Sequence, residues 1–273
     1  MAIKTKFMAL KFLSETKYNK VKLNKISEVY GKMKIGVQMY SLRNYAETEG
    51  IEKTFAAVSE CGFECVEPVS GDYGIGCENV GKLMRKFGLV SYSIHLPYTV
   101  MQTRDELEKF QQIFGFDTAV IPYIEPRKFY DEGELKRIIT GAAENALKLG
   151  LNLAYHNHNF EFERENALSE LPNKFPALKL EPDVFWLTDA GREPLKFLRD
   201  NARNIALIHV KEYGENAQAP NPVVGEGKTD AKSILKFAKE QNHTSVILEY
   251  EKPCSDELTY LKSSLAYMRE AIK

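Results

Sequence analysis

The stretch that decides the fold runs from residue 118 to residue 156 and reads TAVIPYIEPRKFYDEGELKRIITGAAENALKLGLNLAYH. Its two ends, Thr118–Pro122 and Asn152–His156, are short and mostly apolar, which is typical of strands that are buried on both faces. Between them an apolar face recurs at helical spacing and stops before Gly150, a residue that commonly terminates a helix. That face consists of Leu135, Ile138, Ala142, Ala146 and Leu147. The stretch therefore predicts a strand, a helix and a second strand in succession.

The same alternation continues through the chain from Met33 onward. Six further strands are predicted at Ile35–Tyr40, Glu64–Pro68, Val90–His95, Leu178–Asp183, Ala206–His209 and Ser245–Glu249. The connection Arg164–Phe175 is the weakest predicted helix because prolines lie in and beside it. Eight strand–helix units in about 240 residues predict an α/β protein with a single closed parallel (β/α)8 barrel, the TIM barrel. An open doubly wound sheet is the alternative, but it favours a glycine-rich loop after its first strand, and residues 38–41 (QMYS) are not one.

The first 32 residues differ in composition from the rest. They contain eight lysines and two glutamates, a net charge of +6, whereas the whole chain of 273 residues carries −1. We interpret residues 1–32 as a short basic extension outside the native domain and residues 33–273 as the barrel domain. Met33 is a plausible natural start of translation. Measuring the intact mass of the protein from its native source tests this interpretation.

The overall composition argues against two classes of partner. A net charge of −1 gives no general attraction to nucleic acid or to anionic lipid, and no apolar run approaches the roughly 18–20 residues that span a bilayer. The four cysteines are too few for a disulfide scaffold and predict free thiols in a reducing cytoplasm. We therefore expect a cytoplasmic protein that binds neither nucleic acid nor membranes.

Ionisable residues gather at the carboxyl ends of the predicted strands. Four of the five histidines fall there, and carboxylates join them. In a (β/α)8 barrel these strand ends form one mouth, where reactive groups lie. Clustered buried ionisable groups are costly unless a substrate or metal uses them, so the pattern predicts a functional site. The residues concerned are His95, His156, His158, His209, Glu67, Glu161, Asp183 and Glu249.

Four motifs resemble one known family. They are residues 36–43 (GVQMYSLR), 155–162 (YHNHNFEF), 208–213 (IHVKEY) and 224–227 (VGEG). Together they are similar to the sugar phosphate isomerase/epimerase family of the xylose isomerase-like TIM barrels, over roughly residues 33–273. That superfamily also includes inosose dehydratases and endonuclease IV. The motifs are specific for the superfamily and say little about the substrate.

The resemblance implies one divalent metal ion, held in epimerase-type relatives by a Glu, an Asp, a His and a second Glu. Matched motif by motif, the last three positions fall on Asp183, His209 and Glu249. Where many relatives carry Glu at the end of strand five, this chain has His156, with His158 as the alternative ligand. Replacing a carboxylate by an imidazole favours Mn, Co, Zn or Fe over Mg.

The resemblance also implies a reaction. A bound divalent ion would stabilise the enediolate that forms when a sugar loses a proton next to its carbonyl. Glu249 is expected to be the base and Glu161 its catalytic partner on the other face, which makes the protein a sugar isomerase or epimerase. Predicted substrate-binding residues are Glu67, His95, His158, Trp186, Lys211 and Glu226. The expected partner is a small carbohydrate, phosphorylated or not, and relatives often form homo-oligomers.

Three other functions are compatible with parts of the pattern. A metal-dependent lyase or dehydratase acting on an inosose or a keto sugar would use nearly the same residues. An endonuclease would need three metal ions and a basic groove, whereas residues 33–273 carry a net charge of −7. A sugar-binding barrel without catalysis would have no need of Asp183, His209 and Glu249 together. Titration with Mn²⁺ distinguishes it from the enzymes.

Overall fold

The computed structural model describes residues 33–273, so the predicted extension 1–32 lies outside the described residues. The barrel unit runs from Lys34 to Lys273. Its eight strands are β1 Lys34–Gln38, β2 Cys65–Glu67, β3 Ser93–His95, β4 Thr118–Ile121, β5 Asn152–His156, β6 Leu178–Glu181, β7 Ile208–Val210 and β8 Ser245–Leu248. Each predicted strand is therefore confirmed, and most end one or two residues before the predicted boundary.

Helices connect the strands. In chain order they are α1 Arg43–Glu49, α2 Ile51–Glu60, α3 Cys77–Lys86, α4 Tyr98–Met101, α5 Arg104–Phe114, α6 Pro126–Phe129, α7 Glu132–Lys148, α8 Ala167–Lys174, α9 Val184–Asp189, α10 Pro194–Asp200, α11 Ala231–Glu240 and α12 Glu257–Ala271. The weak helix predicted after β5 forms as α8, a short helix with Pro172 inside it. Within residues 33–273, no helix combines the length and apolar character that crossing a membrane requires.

The strands form two parallel four-stranded sheets, in the orders β2-β1-β8-β7 and β3-β4-β5-β6. Isolated parallel bridges join the two sheets at both seams. Residues Cys65 and Val90 pair beside β2 and β3, and Asp183 pairs with His209 beside β6 and β7. The resulting neighbour order, β1 to β8 and back to β1, is that of a (β/α)8 barrel and not of an open doubly wound sheet.

Small and branched side chains fill the space between the strands. Val120, Ala154, Leu207 and Ile247 form one buried cluster. Gly36 in β1 shows how tight this packing is, because a Cβ atom there would lie 2.8 Å from Cδ1 of Ile247 and 2.9 Å from Sγ of Cys65. The apolar packing occupies the strands themselves, and polar residues begin where the strands end.

Candidate metal centre and substrate cavity

The strand ends bring the predicted histidines and carboxylates together. Register explains part of this, since His156 pairs with Glu181 across β5 and β6, and Asp183 pairs with His209 beyond β6. Glu249 follows β8 directly. All these residues are buried. Neighbouring parallel strands thus place side chains from distant parts of the sequence at one end of the barrel.

Four of these side chains surround one point. His156, Asp183, His209 and Glu249 each offer one nitrogen or oxygen, and the four atoms lie within 4.8 Å of one another. Two imidazole nitrogens and two carboxylate oxygens form a donor set that suits a first-row transition metal. These are the four positions to which the family resemblance assigns the metal, with His156 in place of the usual glutamate.

Asp183 carries the clearest sign that a cation fits this cluster. Its Oδ1 accepts a hydrogen bond of 2.8 Å from the backbone N–H of Phe185 and caps α9. Its Oδ2 is buried and has no hydrogen-bond partner. Two nitrogen atoms, His156 Nε2 and Lys211 Nζ, each lie 3.9 Å from Oδ2, beyond hydrogen-bond distance. A buried carboxylate oxygen without a partner is costly unless a cation neutralises it.

Two further carboxylates orient the histidine rings. Glu181 Oε2 lies 3.1 Å from Nδ1 of His156, and Glu67 Oε2 lies 2.6 Å from Nε2 of His209. His156 Nε2 is thereby turned toward Asp183, and His209 Nδ1 lies 2.5 Å from Glu249 Oε2. Metal-binding histidines commonly donate their second N–H to a carboxylate in this way. Glu67 and Glu181 therefore support the ring orientations that the four-residue cluster requires.

A second set of four residues overlaps the first. His95, His156, Glu181 and His209 also offer atoms within 4.8 Å of one another. In this set Glu181 Oε2 is already 2.6 Å from His95 Nε2 and 3.1 Å from His156 Nδ1, which are ordinary hydrogen-bond distances. Glu181 Oε1 is buried without a hydrogen-bond partner, as Asp183 Oδ2 is, so the unpartnered oxygens do not separate the two sets. The first set is preferred because it holds the positions to which the family resemblance assigns the metal.

Lys211 is buried among carboxylates beside the cluster. Its Nζ donates to Glu249 Oε1 at 3.2 Å and to Glu251 Oε1 at 2.8 Å. The same ammonium lies 4.8 Å from the centre of the Trp186 ring. A buried ammonium is stable when it is paired in this way, and it offsets part of the negative charge of the cluster.

Burial and neighbouring charges set the protonation of the cluster. Burial raises the pKa of Asp183 to about 7 and lowers the pKa of His156 to about 4. For Glu249 burial acts in the raising direction, but Lys211 and the hydrogen bond from His209 hold its pKa well below the ordinary value. Burial opposes protonation of His209, yet Glu181 and Glu67 raise its pKa well above the ordinary value. Glu249 is thus ionised at neutral pH and His156 is neutral, as a metal ligand must be, whereas His209 has to release a proton when a metal binds.

A cavity of about 350 Å³ opens next to the cluster. This volume is at the lower end of the range of about 300–1,000 Å³ for small-molecule sites. Its polar lining includes Gln38, His95, His156, His158, Glu249 and Glu251, and its apolar lining includes Tyr40 and Tyr123. The predicted substrate residues His95 and His158 therefore lie at this cavity.

Other predicted site residues take different places. Glu67 is fully buried and bonded to Gln38 and His209. Trp186 packs against His158, with ring centres 5.4 Å apart. Glu226 is exposed in its loop and does not line the cavity. These placements leave the predicted substrate contacts of the three residues as predictions.

Glu161, the predicted partner of Glu249, is buried away from the cavity lining. Its Oε1 accepts a hydrogen bond of 2.6 Å from the hydroxyl of Tyr155, and its Oε2 accepts one of 2.8 Å from the backbone N–H of His158. Burial raises the pKa of Glu161 to about 7. Both oxygens are occupied in this arrangement, so Glu161 supports the segment that presents His158.

Glu181, Gln38 and Glu251 also belong to this site, although the sequence patterns did not predict them. Glu181 had a detectable signal, because it lies two residues before Asp183 and side chains two apart in a strand share a face. Gln38 ends β1 and donates to Glu67 at 2.7 Å. Glu251 follows Glu249 by two residues and lines the same cavity. Strand-end position combined with alternation would have included all three.

Comparison with known proteins supports the fold. No protein-family model and no curated protein sequence matches this chain. Among solved structures, a sugar phosphate isomerase/epimerase from Parabacteroides distasonis is 20% identical with a TM-score of 0.70, covering 89% of this chain and 96% of its own. The 3-keto-D-glucoside 4-epimerase from E. coli is 17% identical with a TM-score of 0.64. That match covers 88% of this chain and 100% of the epimerase chain. A probable 3-DHS dehydratase from Bacillus anthracis is 13% identical with a TM-score of 0.68. That match covers 87% of this chain and 99% of the dehydratase chain.

These likenesses concern the fold. The chain has the xylose isomerase-like TIM barrel fold, and its structural neighbours include sugar phosphate isomerase/epimerase proteins, as the sequence motifs predicted. Most of these neighbours are enzymes that act on carbohydrates. The reaction and substrate of this chain have to be argued from its own residues.

Proposed function

We propose that this protein is a divalent-metal-dependent isomerase or epimerase of a small carbohydrate. The observation that carries the proposal is the four-residue cluster of His156, Asp183, His209 and Glu249 at the wall of a cavity of sugar-binding size. The unpartnered Oδ2 of Asp183 and the neutral ring of His156 are what a cation site needs. The two imidazole nitrogens in the donor set favour Mn, Co, Zn or Fe over Mg.

A divalent cation in this cluster would supply Lewis acidity, which polarises a sugar carbonyl and acidifies the adjacent C–H group. The protein supplies the base. Glu249 lines the cavity, and Lys211 and His209 keep its carboxylate ionised. An ionised carboxylate beside the cation is suited to remove the proton next to the carbonyl.

The position to which the proton returns distinguishes isomerisation from epimerisation. Return to the neighbouring carbon isomerises the sugar, and return to the opposite face of the same carbon epimerises it. Glu161 remains our predicted second acid, although it reaches the cavity only after its bonds to Tyr155 and His158 rearrange. His158 lines the cavity from the β5 side of the barrel, but burial lowers its pKa to about 3, so its neutral ring is not a ready source of that proton.

One observation favours a lyase or dehydratase as the second candidate. Syn elimination of a β-hydroxyl group needs no acid on the opposite face, because the carboxyl group that has taken up the proton can pass it to the hydroxyl group, which leaves as water. Of the two predicted catalytic carboxylates, Glu249 lines the cavity and Glu161 does not. An inosose or a keto sugar would be the substrate of that reaction.

Incubation in D2O separates the two reactions. The protein is loaded with Mn²⁺ and incubated with a panel of keto sugars and inososes, and the products are analysed by mass spectrometry and NMR. Deuterium incorporation without loss of water supports an isomerase or epimerase, whereas loss of water supports the lyase. Asp183→Asn, which weakens the metal cluster, is the matched negative control. Absence of saturable Mn²⁺ binding in the wild-type protein would refute both and favour a non-catalytic sugar-binding barrel.

A further inference from the structure

The charge of the cavity bears on which carbohydrate it accepts. Its lining contains two carboxylates, Glu249 and Glu251, and within residues 33–273 it contains no lysine or arginine. Sites that bind a phosphate group normally provide arginine or lysine side chains, or free backbone N–H groups. Apart from the proposed metal ion, the lining therefore gives the phosphate group of a phosphorylated sugar no cationic side chain to bind.

The two nearest cations are already neutralised. Lys211 is fully buried, and its Nζ lies within 4 Å of carboxylate oxygens of Glu249, Glu251 and Asp183. Arg43 lies 3.2 Å from the other oxygen of Glu251, and it also donates to the backbone oxygen of Tyr40 at 2.8 Å. Either side chain would have to leave a carboxylate before it could bind a phosphate.

The backbone groups that commonly bind phosphate in barrels are occupied too. In many TIM barrels a phosphate lies near the loops after the last two strands and a helix N-terminus. Here Asp183, Asp230 and Asp256 cap the helices that follow β6, β7 and β8, namely α9, α11 and α12. In the loop after β7, the carboxylate of Glu212 accepts the backbone N–H groups of Gly225 at 2.8 Å and Thr229 at 2.7 Å. Carboxylates of the chain itself thus occupy the backbone N–H groups that a phosphate would need.

Two tyrosines give the cavity a partly apolar opening. Tyr40 is 47% exposed and Tyr123 is 44% exposed, and both line the cavity. Large exposed aromatic side chains at a cavity wall offer flat surfaces with a polar hydroxyl edge. The C–H face of a sugar ring can pack on such a surface while its hydroxyl groups meet the polar lining.

We propose that the substrate is an uncharged, non-phosphorylated carbohydrate of monosaccharide size whose C–H groups, in ring or open-chain form, pack against Tyr123 and Tyr40. This inference rests on the proposed function and narrows its substrate class. The cavity of about 350 Å³ accommodates a small ligand, and its lining gives a phosphate dianion no lysine or arginine side chain. The proposal requires that the protein accept free sugars and reject their phosphates.

The test compares matched pairs that differ only in the phosphate. The Mn²⁺-loaded full chain is incubated in D2O with free ketohexoses and with the corresponding ketohexose 6-phosphates. We expect kcat/KM for deuterium exchange to be at least about 100-fold higher for the free sugars, since a phosphate group would lose its hydration in the cavity without a lysine or arginine to bind it. Equal or faster exchange of the phosphates overturns the substrate class while leaving the isomerase function intact.

A binding measurement keeps the inference testable without turnover. Calorimetry on the Mn²⁺-loaded protein compares sorbitol with sorbitol 6-phosphate, neither of which can react by loss of a proton next to a carbonyl. Tighter binding of sorbitol supports the proposal, and equal or tighter binding of the phosphate refutes it. If no sugar of either kind exchanges deuterium, the proposed function fails, whereas this pair still decides the charge preference.

Three variants test the residues named. Glu251→Gln removes one lining carboxylate, so we expect the discrimination against sorbitol 6-phosphate to fall by about 10-fold or more. Tyr123→Ala should weaken sorbitol binding by about 5–10-fold, and Tyr123→Phe should retain it because the ring remains. Unchanged discrimination in Glu251→Gln refutes the charge argument, and wild-type binding by Tyr123→Ala refutes the packing argument. Thermal melting of each variant checks that it is folded.

Discussion

Nε2 of His156 lies 3.9 Å from Oδ2 of Asp183, too far for a hydrogen bond and close enough for both atoms to bind one cation. Bonds to such a cation are about 2.0–2.2 Å long, so two of them can span this separation. Both side chains are buried, and Oδ2 has no other partner. His156 stands where the family resemblance predicts a glutamate ligand, so this pair includes the one proposed ligand that departs from the family pattern.

The first prediction concerns the ligand from β5. His156→Ala should lower the affinity for Mn²⁺ by more than about 100-fold, because it removes a ligand and not merely an outer support. His158→Ala is the matched control two residues away and should retain most of the metal. Metal content after dialysis measures both. Greater metal loss from His158→Ala would assign the ligand to His158 instead.

The second prediction concerns the base. Glu249→Gln should lower the rate of deuterium exchange by about 10²–10⁴-fold, the usual contribution of a general base, while the melting temperature stays near that of the wild type. Metal content has to be measured in parallel, since Glu249 is also a proposed ligand. A metal-loaded, folded variant with wild-type exchange would remove Glu249 from the proton transfer.

The third prediction concerns Glu181, which acts through His156. Glu181→Gln should weaken Mn²⁺ binding by about 10–100-fold, as is typical when the carboxylate behind a metal-binding histidine is changed. NMR of ¹⁵N-labelled histidine in the metal-free protein should also show a changed tautomer population at His156, because Nδ1 loses its carboxylate acceptor. Glu170→Gln, on the exposed side of α8, is the control. An unchanged tautomer in Glu181→Gln would contradict a positioning role.

The fourth prediction concerns pH and Glu161. Burial raises the pKa of this carboxyl group from 4.5 to about 7, so between these values the folded protein binds more protons than the unfolded chain. The free energy of unfolding must then fall as the pH rises from about 5 to about 8. Glu161→Gln lacks this titration, so the wild type should lose stability relative to the variant over that range. Urea denaturation of both proteins at pH 5 and pH 8 measures the difference, and parallel stability curves would show that Glu161 titrates normally.

The sequence alone determined the scaffold to a large extent. Short apolar runs alternating with helical faces predicted eight strands, and each of them forms within a few residues of its predicted position. This succeeds because strands buried on both faces must be apolar along their whole length, a property that can be seen in one dimension. The ends of those strands also identified His156, Asp183, His209 and Glu249, since parallel strands in a barrel all end at one mouth.

Only the tertiary structure decided what each polar side chain touches. Register across β5 and β6 places Glu181 against His156, and no spacing within either strand specifies that partner. The same holds for Glu161, which the sequence predicts as a catalytic acid and the fold buries against Tyr155. Position along a strand determines which end of the barrel a residue occupies, whereas contacts between strands depend on register and on side-chain rotamers. The strands and the residues at their carboxyl ends can therefore be predicted from the sequence. The protonation states and orientations of the site side chains depend on packing in three dimensions.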